Sequence, residues 1–231
     1  MLKELLRIFR SDSLLNQAFN RSVEMLQLAE TMFAAARTSL RERDNADVGL
    51  DIYAADKQIN AYEQEVRRKV LTHLSVGNGA DLPAGLVLVS IVIDIERLGD
   101  FAKNVVELAL RHPASLHCGA YEDDINALER SVANGFRGVL QGLPNSDSEA
   151  AAAVMEAHWG NARRADAVVN RLIDHDEADL SCVDAVSIAL YTRYLKRCSA
   201  HLMNIASSVV NPFERIGFRP DPAPPGEPTE G

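Results

Sequence analysis

Asp94-Ile-Glu-Arg-Leu-Gly-Asp-Phe-Ala-Lys-Asn-Val-Val-Glu107 separates polar from apolar side chains at helical spacing. With Glu96 set at zero and about 100° per residue, Asp100 falls at about 40°, Asn104 at about 80° and Glu107 at about 20°. The apolar side chains Val87, Ile91, Leu98, Phe101, Val105, Leu108 and Ala109 centre at about 200° on the same wheel. The stretch therefore reads as an amphipathic helix whose apolar face enters a core and whose carboxylates line the outer face. Like charges one turn apart repel, so this row calls for a compensating cation, either a basic side chain or a metal.

Upstream and downstream, the same period continues. Leu14, Ala18, Met25, Leu26, Ala29, Met32, Phe33 and Ala36 mark a helix from about Ser13 to Arg43. Ile52, Ala55, Ile59, Tyr62, Val66 and Val70 mark a second from about Asp47 to Ser75. The break Gly77-Asn-Gly-Ala-Asp81, with Pro83 in a first turn, opens the third, which ends before Pro113. Three more helices follow: about Tyr121 to Leu143, Ser146 to Asp176 and Asp179 to Asn211, with a break at Pro144-Asn-Ser146. No alternating-period strand lies between them, and six of the nine prolines fall at or after Pro212. The fold class is all-α.

Composition narrows the function classes. Apolar residues make up 47% of the 231, enough for a sizeable core, and the net charge is −9. Residues 1–115 carry 14 basic and 16 acidic side chains, and residues 116–231 carry 10 and 17. That balance argues against nucleic acid as a partner and suits cations or basic protein surfaces. Cys118, Cys182 and Cys198 form no paired motif, which points to a reducing cytoplasm. The start, Met1 to Arg10, is amphipathic but lacks a signal-peptide core, and the apolar run from Leu82 to Ile93 is too short to span a bilayer.

The chain repeats itself. Asp56-x-x-Ile59-Asn60 recurs as Asp166-x-x-Val169-Asn170, and Ile95-Glu-Arg97 with Asn104-Val105 recurs as Leu195-Lys-Arg197 with Asn204-Ile205. The expected division is a short N-terminal helix over 1–12, a three-helix repeat over 13–112, a second over 113–219 and a disordered proline-rich tail over 220–231.

Asp94-x-Glu96-Arg97-x-Gly99-Asp100-x-x-x-Asn104, followed by Glu107, resembles the signature of the PhoU family, regulators of phosphate transport and signalling. The resemblance covers roughly residues 10 to 212. It implies two tandem three-helix bundles and carboxylate-rich metal sites built from paired (Glu/Asp)-x-x-x-Asp motifs. Carried onto this chain, Glu96 and Asp100 match the third-helix pair. Asp56 and Asn60 match the second-helix pair, with its last Asp replaced by a neutral side chain. Such oxygen ligands suit Mg²⁺, Mn²⁺ or iron. In the second repeat Lys196 stands where Glu would be and Ala200 where Asp would be, so that site is degenerate, and a lysine ammonium could fill the place of the lost cation.

The other polar residues carry blander expectations. Asp94 points to the apolar side, as a buried hydrogen-bonded carboxylate or ion-pair partner. Asn104 and Asn204 read as contacts between helices, and His158, His175 and His201 as surface or capping histidines. No nucleophile elbow, phosphate loop or zinc-protease motif occurs.

The function expected from the resemblance is that of a non-enzymatic cytoplasmic homo-oligomer. It would act as an adaptor to a phosphate transporter or sensor kinase, reach the membrane only through that partner, and carry a surface metal site in the first repeat. A metal-free helical scaffold is the first alternative. A carboxylate-bridged metalloenzyme is the second, and it would need inward-facing carboxylates and histidine ligands.

Overall fold

A computed structural model describes residues 13–44, 47–77, 79–112, 114–174 and 180–219. The short amphipathic start, His175 and the proline-rich tail lie outside the described residues. Within them are six long helices: α1 (Leu14–Glu42), α2 (Ile52–Val76), α3 (Leu82–Arg111), α4 (Glu122–Asn145), α5 (Ser148–Ile173) and α6 (Cys182–Val210). Short 3₁₀ turns at Gly119–Tyr121 and Phe213–Arg215 complete the regular structure, and the described residues contain no strand.

Side chains adjacent to the helices set most of their starts. Ser13 caps α1 through the Asn16 N–H, Asp51 caps α2 through Ala54, Asp147 caps α5 through Glu149 and Ala150, and Ser181 caps α6 through Asp184. Each such cap satisfies an otherwise unpaired amide and contributes about 1 kcal/mol. Pro83 occupies the first turn of α3, where its missing N–H costs nothing.

Helix α5 is shorter than read, at Ser148–Ile173 rather than Ser146 to Asp176, and α6 starts at Cys182 rather than near Asp179; two further boundary differences have a clear local cause. Helix α2 starts at Ile52 rather than near Asp47, because Asp47 instead accepts the Gly49 N–H in a turn where Gly49 takes φ +65°. Helix α4 runs through Pro144 to Asn145, since a proline in the last turn removes only one bond near an end whose carbonyls are already running out of partners. It stops where Ser146 turns left-handed at φ 51° and the Asp147 N–H returns to the Gly142 carbonyl.

Helices α1, α2 and α3 pack on one another, as do α4, α5 and α6. The first core is built from Leu15, Met25, Leu26, Met32, Ile59, Val66, Leu88, Ile91 and Ile95, the second from Ile125, Leu128, Phe136, Val168, Ile188, Tyr191 and Leu195, all at most 1–2% exposed. Leu14, placed in the stripe from sequence, is only half-buried and Leu15 takes the core position. The two bundles join along α3–α6 and α1–α4. Phe33 meets Phe136 at 5.5 Å between ring centres, and Phe101 meets Tyr194 at 6.0 Å.

Charge also crosses between the bundles. Glu129 of α4, 3% exposed, accepts from Arg37 at 2.9 Å, Arg41 at 3.0 Å and Tyr191 at 2.9 Å. Three donors from α1 and α6 thus satisfy one buried carboxylate of α4. Burial and Glu129 together raise the Tyr191 hydroxyl well above the usual tyrosine pKa, so it stays a donor.

Candidate functional site

The α2–α3 groove gathers the carboxylates singled out by sequence. The two helices run antiparallel, so Asp56 near the start of α2 lies opposite Lys103 in the second half of α3. Asn60 and Glu63 continue the α2 stripe, and Asp100 and Glu96 continue the α3 stripe. Gly99 lets the helices approach: a Cβ there would stand 2.6 Å from Cδ1 of Ile59.

The carboxylate row faces α2 rather than open solvent. The Glu96 side chain is 14% exposed, Asp56 16% and Asp100 26%, while Glu107 beyond them is exposed. The wheel placed this row opposite the core correctly, but a helix flank between core and solvent belongs to its neighbour. Burial first, then repulsion from Asp100 and Glu63, pushes the Glu96 pKa above the usual carboxylate value.

Three basic side chains answer this charge. Lys103 Nζ lies 2.9 Å from Asp56 and 3.2 Å from Asp100, tying the two helices together. Arg97 holds Asp100 at 2.8 Å and Glu96 at 3.4 Å, and Arg67 holds Glu63 at 2.8 Å. Burial works against the Lys103 charge, but its bonds and attraction to Asp56 and Asp100 prevail and hold its pKa above the ordinary lysine value.

Of the residues put forward as metal ligands, Glu96, Asp100, Asp56 and Asn60, the groove brings Asp56 and Asp100 to one Lys103 ammonium, with Glu96 one turn from Asp100 and Asn60 one turn from Asp56. A divalent ion bound by both Asp56 and Asp100, at about 2–2.6 Å from each, would crowd the Lys103 ammonium. Among the described residues no three His, Cys, Asp or Glu side chains converge on one point. Sequence inspection passed over Lys103 as a bridging group and Glu63 as a member of the groove. Both signals were present, Glu63 two turns after Asp56 and Lys103 one turn after Asp100.

The second repeat inverts the arrangement. Lys196, the counterpart of Glu96, pairs with Asp166 of α5. Asp166 therefore takes the place of Glu63, not of Asp56 as the short motif repeat suggested. Where the first repeat sets acid beside acid, the second sets acid beside base.

The remaining predicted polar residues fall elsewhere. Asp94 accepts from His201 and Asn204 across the bundle interface, which gives Asp94 and Asn204 the roles read from their positions. His201 and His158 are not surface histidines: they are 8% and 7% exposed, and His158 bonds Ser199 at 3.1 Å. Both sit on helix faces turned inward, which an isolated histidine in a sequence does not disclose. Of the cysteines, Cys118 and Cys198 are buried, with thiols pushed up to about 12 chiefly by burial, and Cys182 is exposed. No helix among the described residues is long and apolar enough to cross a membrane.

Comparison with known proteins agrees with this architecture. Residues 23–109, most of α1 to α3, match the family model of the PhoU domain. A phosphate-specific transport system accessory protein PhoU homolog of Xylella fastidiosa (strain Temecula1 / ATCC 700964) is 28% identical over 204 residues, 86% of this chain and 83% of its own length. The homolog of the same description from Caulobacter vibrioides (strain NA1000 / CB15N) is 23% identical over 185 residues, 79% of this chain and 80% of its own. In fold, the chain is similar to the crystal structure of PhoU from Pseudomonas aeruginosa, with a TM-score of 0.77 and 22% identity, covering 85% of this chain and 95% of that one. The phosphate transport system regulatory protein PhoU from Streptococcus pneumoniae gives 0.75 and 16%, covering 85% and 93%. The first bundle thus matches the PhoU domain in sequence, and the six-helix arrangement is similar in fold to solved PhoU structures.

Proposed function

We propose that this chain regulates phosphate uptake or signalling as a cytoplasmic adaptor that docks on a phosphate transporter or its sensor kinase and performs no catalysis itself. The observation that carries this reading is the 28% identity, over 86% of the chain, to a protein described as an accessory of a phosphate-specific transport system. The structure adds compatible physical features. Buried charge pairs α1 with α4 across the two bundles, and the α2–α3 groove offers a rim of alternating acid and base at a helix pair's edge. Partner recognition through such a rim is electrostatic, weakens with salt and needs no reacting group.

Affinity capture of the full chain from its own cells, grown with and without ample phosphate, tests the reading. Co-purification of a phosphate transporter or its sensor kinase is the expected result. Absence of both under either condition, with the bait folded and recovered, would overturn it.

A further inference from the structure

We infer that Lys103 is the resident cation of the first repeat: its ammonium takes the place between α2 and α3 that a metal ion would otherwise fill, so the groove keeps its charge balance whatever the metal supply. The geometry is that of a bridge rather than a surface pair. Nζ reaches carboxylates on two different helices, Asp56 at 2.9 Å and Asp100 at 3.2 Å, and its side chain is only 22% exposed. A divalent metal joining these two carboxylates would do the same job, neutralising both and fastening the helices. The two solutions exclude each other, because a metal within reach of both oxygens would lie against the ammonium.

The second repeat reaches the same end differently. Lys196 also projects from the third helix of its bundle and also neutralises a carboxylate of the helix before it, Asp166. Yet Lys196 corresponds to Glu96, not to Lys103. Each bundle has placed a lysine across its second and third helices at a different turn, so the covalent cation is a property of the groove and not of one inherited position. A cation carried on the chain has no dissociation constant, and the charge that the groove presents is therefore constant.

Equilibrium dialysis of the full, EDTA-treated chain against Mn²⁺, read by elemental analysis and thermal melting, tests the inference. The wild type should take up far less than one Mn²⁺ per chain and melt at the same temperature in Mn²⁺ and in EDTA. Lys103→Ser should take up one Mn²⁺ per chain, and its melting temperature should rise with it. Stoichiometric uptake by the wild type that Asp100→Asn abolishes would overturn the inference, as would a folded Lys103→Ser that takes up none. Should Lys103→Ser fold only with Mn²⁺ present while Lys103→Arg folds without it, the exchange of ammonium for metal is shown directly. Failure of Lys103→Ser to fold in either condition would show that the two are not alternatives. None of these readouts involves a partner, so the docking reading stands or falls separately.

Discussion

The Asp94 carboxylate of α3 accepts a hydrogen bond from His201 Nδ1 of α6 at 2.7 Å, and Asn204 donates to the same oxygen at 2.9 Å. The contact lies at the seam of the two bundles, with the His201 ring stacked on Phe101 at 5.7 Å. A polar cluster in that position fixes the register of α3 against α6, since sliding either helix by one turn would strand the carboxylate.

Asp94→Ala leaves His201 and Asn204 without their acceptor in a half-buried seam. The expected cost is about 2–3 kcal/mol in urea unfolding. His201→Ala in the Asp94→Ala background should cost much less than in the wild type. Additive losses in that double-mutant cycle would mean that the pair contributes nothing as a pair.

Gly99 sits where α3 packs tightly on α2, with a built Cβ 2.6 Å from the Ile59 side chain. Gly99→Val should therefore lower stability by about 2 kcal/mol through overpacking, more than a helix-propensity change from glycine can return. Ile59→Val removes the methyl that the new side chain meets, so the double variant should recover part of the loss. Recovery is read from denaturation midpoints, and a double variant less stable than Gly99→Val alone would place the strain elsewhere.

His158 is buried, and desolvation first, then Lys196, depresses its pKa below the usual histidine value. The folded chain thus holds this proton less tightly than the unfolded chain does. Its contribution to stability is full above the unfolded pKa of about 6.5 and is lost as pH falls from there through the lower folded value. Urea unfolding between neutral and mildly acidic pH should show this loss in the wild type, and His158→Asn should show a smaller one. Equal pH slopes for the two would remove His158 from the account.

The helical class, the six segments and the amphipathic third helix were readable from periodicity and capping residues, because a helix records its buried face locally, every three or four positions. So was the charge problem of Glu96 and Asp100, since one turn of one helix suffices to bring them together. The family resemblance rested on that same helix.

What lies between helices was not readable in this way. Whether Asp100 is neutralised by Lys103, whether Glu63 stands beside Glu96, and whether Asp166 answers to Asp56 or to Glu63 depend on the register of one helix against the next. That register is set by core side chains such as Ile59, by Gly99 and by the buried seams at Asp94 and Glu129. Such contacts join residues far apart in the chain, so no local period encodes them. The sequence alone determined that a row of carboxylates required a cation. Only tertiary packing, by bringing Asp56 of α2 against the Lys103 flank of α3, decided that the chain supplies one itself.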